Sequence, residues 1–551
     1  MAKGLLILIC IGFSFSMFSQ EEDAWVYFVD KEDVANKIAN PISILTQEAI
    51  DRKNDKGVAI DERDVEVNEN YISALKSASG ITVKAKSKWF NAAHVRGTEA
   101  DINSLFTNQE SLISPSKTFI DHIVFADNSV SALSKSAIVK QKSKLETELT
   151  AFTYGDAQNQ IEMFNGDDLH LDDKTGGDMV IAILDAGFPN VKTMSAFQKL
   201  RTDGHLLDGY DFVNRDIDVY ANAVSNHGTL VLSTMAGYVN TETEKFVGSA
   251  PDASYYLFIT EDGLSENPVE ESYWVEAAER ADSLGVDIIN TSLGYFDYDP
   301  NTKFDYTQSD MDGNTAYITK GANIAFEKGI LVVASAGNSG NTGVGAPADA
   351  ENVLSIGAVD ALGNYASFSS IGTAFQPSQK PDVVAQGKGS AVITQYNVIS
   401  SADGTSFSSP ILAGGIACLW QALPDLTNAE IMQLVRESAS LYNNPNYQLG
   451  YGIPDLASAL TAGKILEHSK LKERMNVSVF PNPVSDKLIV NWNSKTSDAI
   501  GYLYNVLGKM IGSFVLSKGD NEINMSALTK GFYVLKVDGQ STSNAFKIVK
   551  E

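Results

Sequence analysis

Met179-Val180-Ile181-Ala182-Ile183-Leu184-Asp185-Ala186-Gly187 is a short apolar, β-branched run that ends on an acid and a tight turn. Apolar at consecutive rather than alternate positions, it reads as a strand buried on both faces. Ser254 to Ile259, Asp287 to Leu293, Ile330 to Ser335 and Val353 to Val359 share that character, and helical stretches such as Val269 to Leu284 and Asn314 to Lys328 lie between them. Strands and helices in alternation build a mostly parallel sheet covered by helices on both faces. From about Tyr154 to Leu466 the chain is therefore expected to be α/β, with any chemistry at the carboxyl ends of its strands.

On either side the pattern changes. Ala24 to Val29, Ile81 to Lys86 and Phe119 to Phe125 read as strands, and Ile42 to Lys53 and Glu99 to Phe106 as helices, giving a small α+β unit. Asn128 to Thr150 is rich in Ser and Lys with no sustained apolar face and reads as a protease-accessible linker. A charged stretch near Glu467 to Lys472 marks a second boundary. Beyond Met475, alternation in Lys487 to Trp492, Gly501 to Tyr504 and Phe532 to Val537, separated by turn signals, outlines a small β-sandwich. At the start, Lys3, the apolar run Leu5 to Phe18 and then Ser19 and Gln20 have the layout of a secretory signal peptide. The rival reading, a lipid anchor at Cys10, meets a bulky Ile9 where such sites need a small residue.

The chain has 551 residues, enough for three or four folded units. Its 42 Lys and Arg against 69 Asp and Glu give a net charge of −27, which repels phosphate, so no nucleic-acid partner is expected. A hydrophobic content of 44% argues against disorder as the source of that acidity. The cysteines are Cys10 and Cys418; with the first in a segment expected to be removed, no intramolecular disulfide is expected. No later run approaches the apolar length needed to cross a membrane, so no transmembrane segment is expected in the mature protein.

Four side chains in the α/β region carry chemistry. Asp185 ends its strand before Ala186-Gly187, where it is placed to hold a group above the sheet or simply to cap the turn. Of six histidines, His227 begins the apolar helical face Leu230, Val231, Met235 and Ala236 and is followed by Gly228-Thr229. Asn338 closes Ala334-Ser335-Ala336-Gly337-Asn338, where an amide can donate to an oxyanion or make a left-handed turn. Ser406 stands in Gly404-Thr405-Ser406-Phe407-Ser408-Ser409-Pro410, ahead of the small residues Ala413, Gly414, Gly415 and Ala417, so a closely packed helix can aim its unpaired N–H groups at a site. A capping role is the ordinary reading of such a serine. No glycine-rich phosphate loop follows the first strand, which disfavours a dinucleotide, and Ser408 breaks the Gly-x-Ser-x-Gly elbow of esterases.

Taken in order, Asp185, His227, Asn338 and Ser406 resemble the subtilases. Ile183-Leu184-Asp185-Ala186-Gly187, His227-Gly228-Thr229, Ala336-Gly337-Asn338 and Gly404 to Pro410 match that family's motifs, and Asn290-Thr291-Ser292-Leu293-Gly294 and Tyr451-Gly452-Ile453-Pro454 add to the likeness. The His227 motif argues against the glutamate-based sedolisins, which share Gly-Thr-Ser. The resemblance implies a subtilisin-like three-layer domain and a serine endopeptidase in which Asp185, His227 and Ser406 form a triad and Asn338 is the oxyanion donor. It places Ser292, Leu293, Gly294, Ser335, Ala336 and Gly337 along the substrate and Gly345 at a pocket floor suited to a bulky apolar P1 residue.

The outer segments then divide as a signal peptide (1–19), a propeptide with linker (20–150), the peptidase domain (151–466) and a C-terminal domain (475–551). That last domain resembles the type IX secretion sorting domain through Ser478-Val479-Phe480-Pro481-Asn482-Pro483, Gly531 to Val537 and the basic strand Phe546 to Lys550. A carbohydrate- or surface-binding β-module is the competing reading. The partners implied are polypeptide substrates and the type IX machinery, and the location is outside the cell or on its surface. No cofactor is required by the chemistry; family members often carry calcium, for which acidic loops such as Asp297 to Asp312 could supply oxygens, although no ligand spacing fixes a site. The alternative from another class is a catalytically inactive subtilase-like surface binding protein.

Overall fold

The computed structural model describes residues 21–113, 116–126, 152–221, 225–298, 302–474, 477–493, 499–539 and 543–551. The expected signal peptide with Cys10 and the expected linker from Asn128 to Thr150 lie outside these residues. One compact unit spans 1–422 and 427–457, and a second spans 423–426 and 458–551.

The first unit is organised by seven strands, every neighbouring pair of them parallel, in the order Val383–Gln386, Val353–Val359, Leu331–Ser335, Ile288–Thr291, Val180–Asp185, Ser254–Ile259 and Leu206–Asp211. Because side chains alternate across a strand, the run that opens at Met179 serves two layers. Ala182 and Leu184 pack with Ile289, Val332 and Ala334 against the helices Val269–Leu284 and Tyr317–Glu327. Ile181, Ile183, Ile288 and Val333 are fully buried on the other face, where the Ser409 hydroxyl of helix Thr405–Ala422 reaches Asn290 at 3.0 Å. That helix is buried at every residue from Thr405 to Trp420, which is why its sequence is apolar all round instead of along one stripe. The edge strands Leu206–Asp211 and Val383–Gln386 have no counterpart in the sequence reading. The first, Leu-Leu-Asp-Gly-Tyr-Asp, is too polar to read as a buried strand.

In the N-terminal unit, Thr82–Ser87, Ala92–Thr98, Glu21–Phe28 and Ile120–Phe125 form one antiparallel sheet in that order, with helices Gln47–Lys56, Glu69–Ser77 and Glu99–Leu112. The strand Ala92–Thr98 was not expected, since Ala-Ala-His-Val offers no alternation. It is buried throughout that stretch because it pairs on both sides. This sheet docks on the two helices Val269–Leu284 and Tyr317–Glu327. Trp25 stacks on Tyr317 at 4.7 Å and donates its indole N–H to Ser272, 2.9 Å away. Glu279 accepts from the Ser87 hydroxyl and from the backbone N–H groups of Lys88 and Trp89 at 2.5, 3.0 and 2.9 Å. Asp282 accepts from Arg52 and Lys53 at 2.7 and 2.8 Å, and Lys328 reaches Asp61 and Asp64 at 2.8 Å each.

The charged stretch near Glu467 to Lys472, read as a boundary, is helical and belongs to Leu456–Arg474, the helix within which the chain passes from the first unit to the second. Charged residues on an exposed helix face and those in a linker look alike without a partner surface. Within the second unit, the sheet Val477–Phe480, Lys487–Trp492 and Gly519–Asn524 and the sheet Met510–Leu516, Ala499–Asn505, Gly531–Asp538 and Ser543–Lys550 share one core, in which Leu488, Val490 and Ile523 meet Leu503, Leu535 and Ile548. Two antiparallel sheets on a common core make the expected sandwich.

Candidate active site

Asp185 is the last residue of its strand and is fully buried. The strand end fixes it from two sides: the Thr260 N–H donates to its carbonyl at 3.1 Å and the Ala186 N–H to its carboxylate at 2.7 Å. The carboxylate oxygens then accept from His227 Nδ1 at 2.9 and 3.0 Å.

His227 begins the helix His227–Ala236. The Ser225 hydroxyl accepts its backbone N–H at 3.2 Å, satisfying one of the orphan donors of a helix start. Glycine follows because the chains nearly touch: a Cβ on Gly228 would lie 2.6 Å from the Gly187 carbonyl oxygen. The buried Thr229 adds a hydroxyl bond to the Pro189 carbonyl at 2.9 Å. Burial disfavours the charged imidazole, but the Asp185 carboxylate more than offsets it, with a smaller push from Glu261, and the ring's pKa is raised above the ordinary histidine value. Nδ1 is committed to Asp185, and Nε2 has no hydrogen-bond partner among the described residues.

Ser406 is the second residue of helix Thr405–Ala422 and is 8% exposed. Pro410 sits in that helix and has no N–H to return to the Ser406 carbonyl four residues back. The Ser292 hydroxyl takes its place, donating to that carbonyl at 2.9 Å. In return the Ser406 hydroxyl points to the Ser292 carbonyl at 3.4 Å, and no hydrogen bond joins it to the His227 ring among the described residues. The next residue of that helix, Phe407, brings its ring to 5.9 Å from the His227 ring.

Asn338 follows the strand Leu331–Ser335 after Gly337, whose φ of 103° reverses the chain. Its Oδ1 accepts from the Thr405 N–H and hydroxyl at 2.9 and 3.0 Å. That bonding turns the NH2 group the other way, and a Cβ on Gly404 would meet Nδ2 at 3.6 Å, beside the serine. Thr405 thus fixes the amide, a role hidden in the sequence because the threonine belongs to the same phrase as the serine.

Of the expected substrate segments, Ser292, Leu293 and Gly294 run past Ser406, and the Ser335 hydroxyl lies 3.4 Å from the Leu293 carbonyl, so Ser335-Ala336-Gly337 lies alongside. At Gly345 a Cβ would lie 3.1 Å from the Tyr295 carbonyl oxygen, because Tyr295 and Ala346 pair through both backbone bonds at 2.9 and 3.0 Å. In the acidic loop Asp297 to Asp312, Asp310 accepts from Thr307 and Asp312 from Asn314 and Thr315. The buried His170, pushed down to about 4 by burial, bonds Tyr154 and the Ser249 carbonyl and is structural. Glu261 and Tyr295, both beside the site, were not singled out in the sequence. Glu261 follows a strand's carboxyl end, the signal used for Asp185, but without a family phrase around it.

The family profile described as "Subtilase family" matches residues 176–452. The chain belongs to the subtilases. It is thereby a serine-type endopeptidase by family. A "Peptidase S8 propeptide domain, Bacteroidota" profile matches residues 23–144, and a "Secretion system C-terminal sorting domain" profile matches residues 478–551. Among curated relatives, the chain is 32% identical over 259 residues to the thermophilic serine proteinase of Bacillus sp. (strain AK1), covering 47% of this chain and 57% of that one. It is 29% identical over 305 residues to subtilisin DY of Bacillus licheniformis, covering 54% and 97%, and 30% identical over 295 residues to subtilisin NAT of Bacillus subtilis subsp. natto, covering 53% and 68%. The chain thus spans little more than half the length of the AK1 proteinase. No described helix is long and apolar enough to cross a membrane.

Proposed function

We propose that this subtilase is an exported zymogen that cleaves peptide bonds through an acyl-enzyme, with Ser406 as nucleophile, His227 as general base, Asp185 orienting the imidazole and Asn338 with the Ser406 N–H stabilising the oxyanion. The observation that carries this reading is the double contact of His227 Nδ1 with the buried Asp185 carboxylate, 2.9 and 3.0 Å. It selects the tautomer that leaves Nε2 free to take a proton.

In this scheme the Ser406 hydroxyl leaves the Ser292 carbonyl, 3.4 Å away, for Nε2. Its O–H proton passes to Nε2 as the Oγ–carbon bond forms, and negative charge moves to the former carbonyl oxygen. The Asn338 NH2, held by Thr405, and the helix-start N–H of Ser406 face that charge. Collapse breaks the carbon–nitrogen bond, the imidazolium returns its proton to the leaving amine, and water repeats the sequence on the acyl-enzyme. Ser292 to Gly294 and Ser335 to Gly337 would present backbone edges to an extended substrate. Residues 20–150 act as the propeptide, and 475–551 direct passage through the type IX machinery after export by the signal peptide at 1–19.

A serine-directed fluorophosphonate tests the reading. Label on Ser406 of the processed protein, absent in Ser406→Ala and strongly reduced in His227→Ala, is the expected result. A processed protein that takes no label would be the inactive binding protein considered above.

A further inference from the structure

The cleft has a feature that the catalytic roles leave unused. Beyond the strand that pairs Ile259 with Asp185, the chain turns through Glu261, Asp262 and Leu264, which with Ala186, Asp211, Val213, Asn214 and Ile259 line a cavity of about 390 Å³ directly beside the Asp185 turn. Leu264 is 83% exposed at its rim. The segment Ser292-Leu293-Gly294, whose first residue bonds Ser406, is followed at once by Tyr295. The phenol of Tyr295 is 2% exposed and donates to the Glu261 carboxyl, while its backbone is clamped to Ala346. The chain after Glu261 is in turn tied to the helix Val269–Leu284, because Glu270 accepts from the Asp262 and Asn267 N–H groups at 2.7 and 3.0 Å. A single side-chain bond therefore ties the cavity wall to the segment that follows Gly294.

We propose that the Tyr295–Glu261 bond is a strut that sets the separation of the two walls of the substrate cleft, making both residues positioning residues for the part of the peptide N-terminal to the scissile bond. The inference rests on the serine-peptidase reading above. Neither residue touches the reacting atoms in that scheme. Burial pushes the Glu261 carboxyl above the ordinary carboxylate range, opposed by the Tyr295 hydroxyl and aided by Glu266 and Asp185. A neutral amide is consequently the conservative replacement, since Gln can still accept the phenol. The buried position of Tyr295, stacked 6.2 Å from Tyr298, means that loss of its oxygen alone leaves the packing intact.

The test compares the processed enzyme with Tyr295→Phe, Glu261→Leu and Glu261→Gln on two substrates with the same P1 residue, a four-residue peptide anilide and a single-residue ester. Active sites are counted by phosphonate titration, so rates refer to folded, competent molecules. Tyr295→Phe and Glu261→Leu should raise KM for the peptide by about tenfold or more while kcat and KM for the ester stay within about threefold, and Glu261→Gln should stay within about threefold on both. Equal losses on the two substrates, no loss on either, or a Glu261→Gln variant as impaired as Glu261→Leu would each overturn the strut. A parent enzyme that takes no phosphonate would instead overturn the serine-peptidase reading, so the two failures are distinct.

Discussion

Replacing Asp282 by alanine should loosen the N-terminal unit from the peptidase domain while leaving the central sheet intact. Asp282 has a fully buried side chain and accepts from Arg52 at 2.7 Å and from Lys53 at 2.8 Å, whose own side chains are 5% and 0% exposed. Without it, among the described residues Lys53 keeps Asp64 at 3.2 Å and Arg52 keeps the Lys328 carbonyl at 3.1 Å. Removing one partner of a buried pair typically costs about 3 to 5 kcal/mol, because the other charge stays buried and uncompensated. At about 1.4 kcal/mol per factor of ten, the docked state should weaken by roughly two to three and a half powers of ten. Hydrogen exchange on the uncleaved Ser406→Ala precursor reads this directly. Protection should fall by roughly that factor in Glu21–Phe28 and Ala92–Thr98 and stay constant in Leu331–Ser335, the outcome expected of an N-terminal sheet that opens without the central one. In the processed protein, where the departed unit leaves Asp282 facing water, the same substitution should be nearly neutral. Unchanged protection in the N-terminal strands, or an equal fall in Leu331–Ser335, would refute the argument that this ion cluster holds the interface.

Because Asp185 raises the pKa of His227, the acid limb of kcat/KM should lie above the ordinary histidine value of about 6.5. Activity falls as pH drops through that limb, and Asp185→Asn should shift it downward on the residual activity. The pair's contribution to stability has the opposite course: present below the unfolded pKa, lost as pH rises through the folded one. Asn338→Ala should lower kcat roughly 10²- to 10³-fold with KM little changed, measured on a peptide anilide; a variant within about threefold of the parent would remove Asn338 from the oxyanion role. Ser292→Ala strands the Ser406 carbonyl and should cost about 1 to 3 kcal/mol in denaturant unfolding. Adding Pro410→Ala restores an N–H to that carbonyl and should recover part of the loss, and no recovery would show that the serine's bond was not filling the proline's gap.

Much of the site was legible because its anchors are local. Asp185 at a strand end, His227 at a helix start and Asn338 after a strand and a glycine each occupy a place where backbone geometry exposes the side chain, and flanking residues announce that geometry. The buried strands were legible for the same reason: Ser254–Ile259 and Val353–Val359 fall where consecutive apolar residues put them, and Val269–Leu284 matches its expected span. What escaped was either polar for its location, like Leu206–Asp211, or paired only by tertiary contact, like Ala92–Thr98. At Gly345 the structure adds a constraint the sequence did not announce, the Tyr295 carbonyl oxygen 3.1 Å from where a Cβ would stand.

The sequence by itself determined the kind of sheet and the chemical groups at its carboxyl edge, since both depend on neighbours a few residues away. Only the tertiary structure decided which groups those side chains answer to: the Ser406 carbonyl is met by a hydroxyl 114 residues distant, the Asn338 amide is fixed by Thr405 from 67 residues away, and Lys53 meets Asp282 across 229. Contacts at such separations are chosen by how packed layers bring surfaces together and by the cost of leaving a buried polar group unpaired, and neither leaves a mark on the local order of residues.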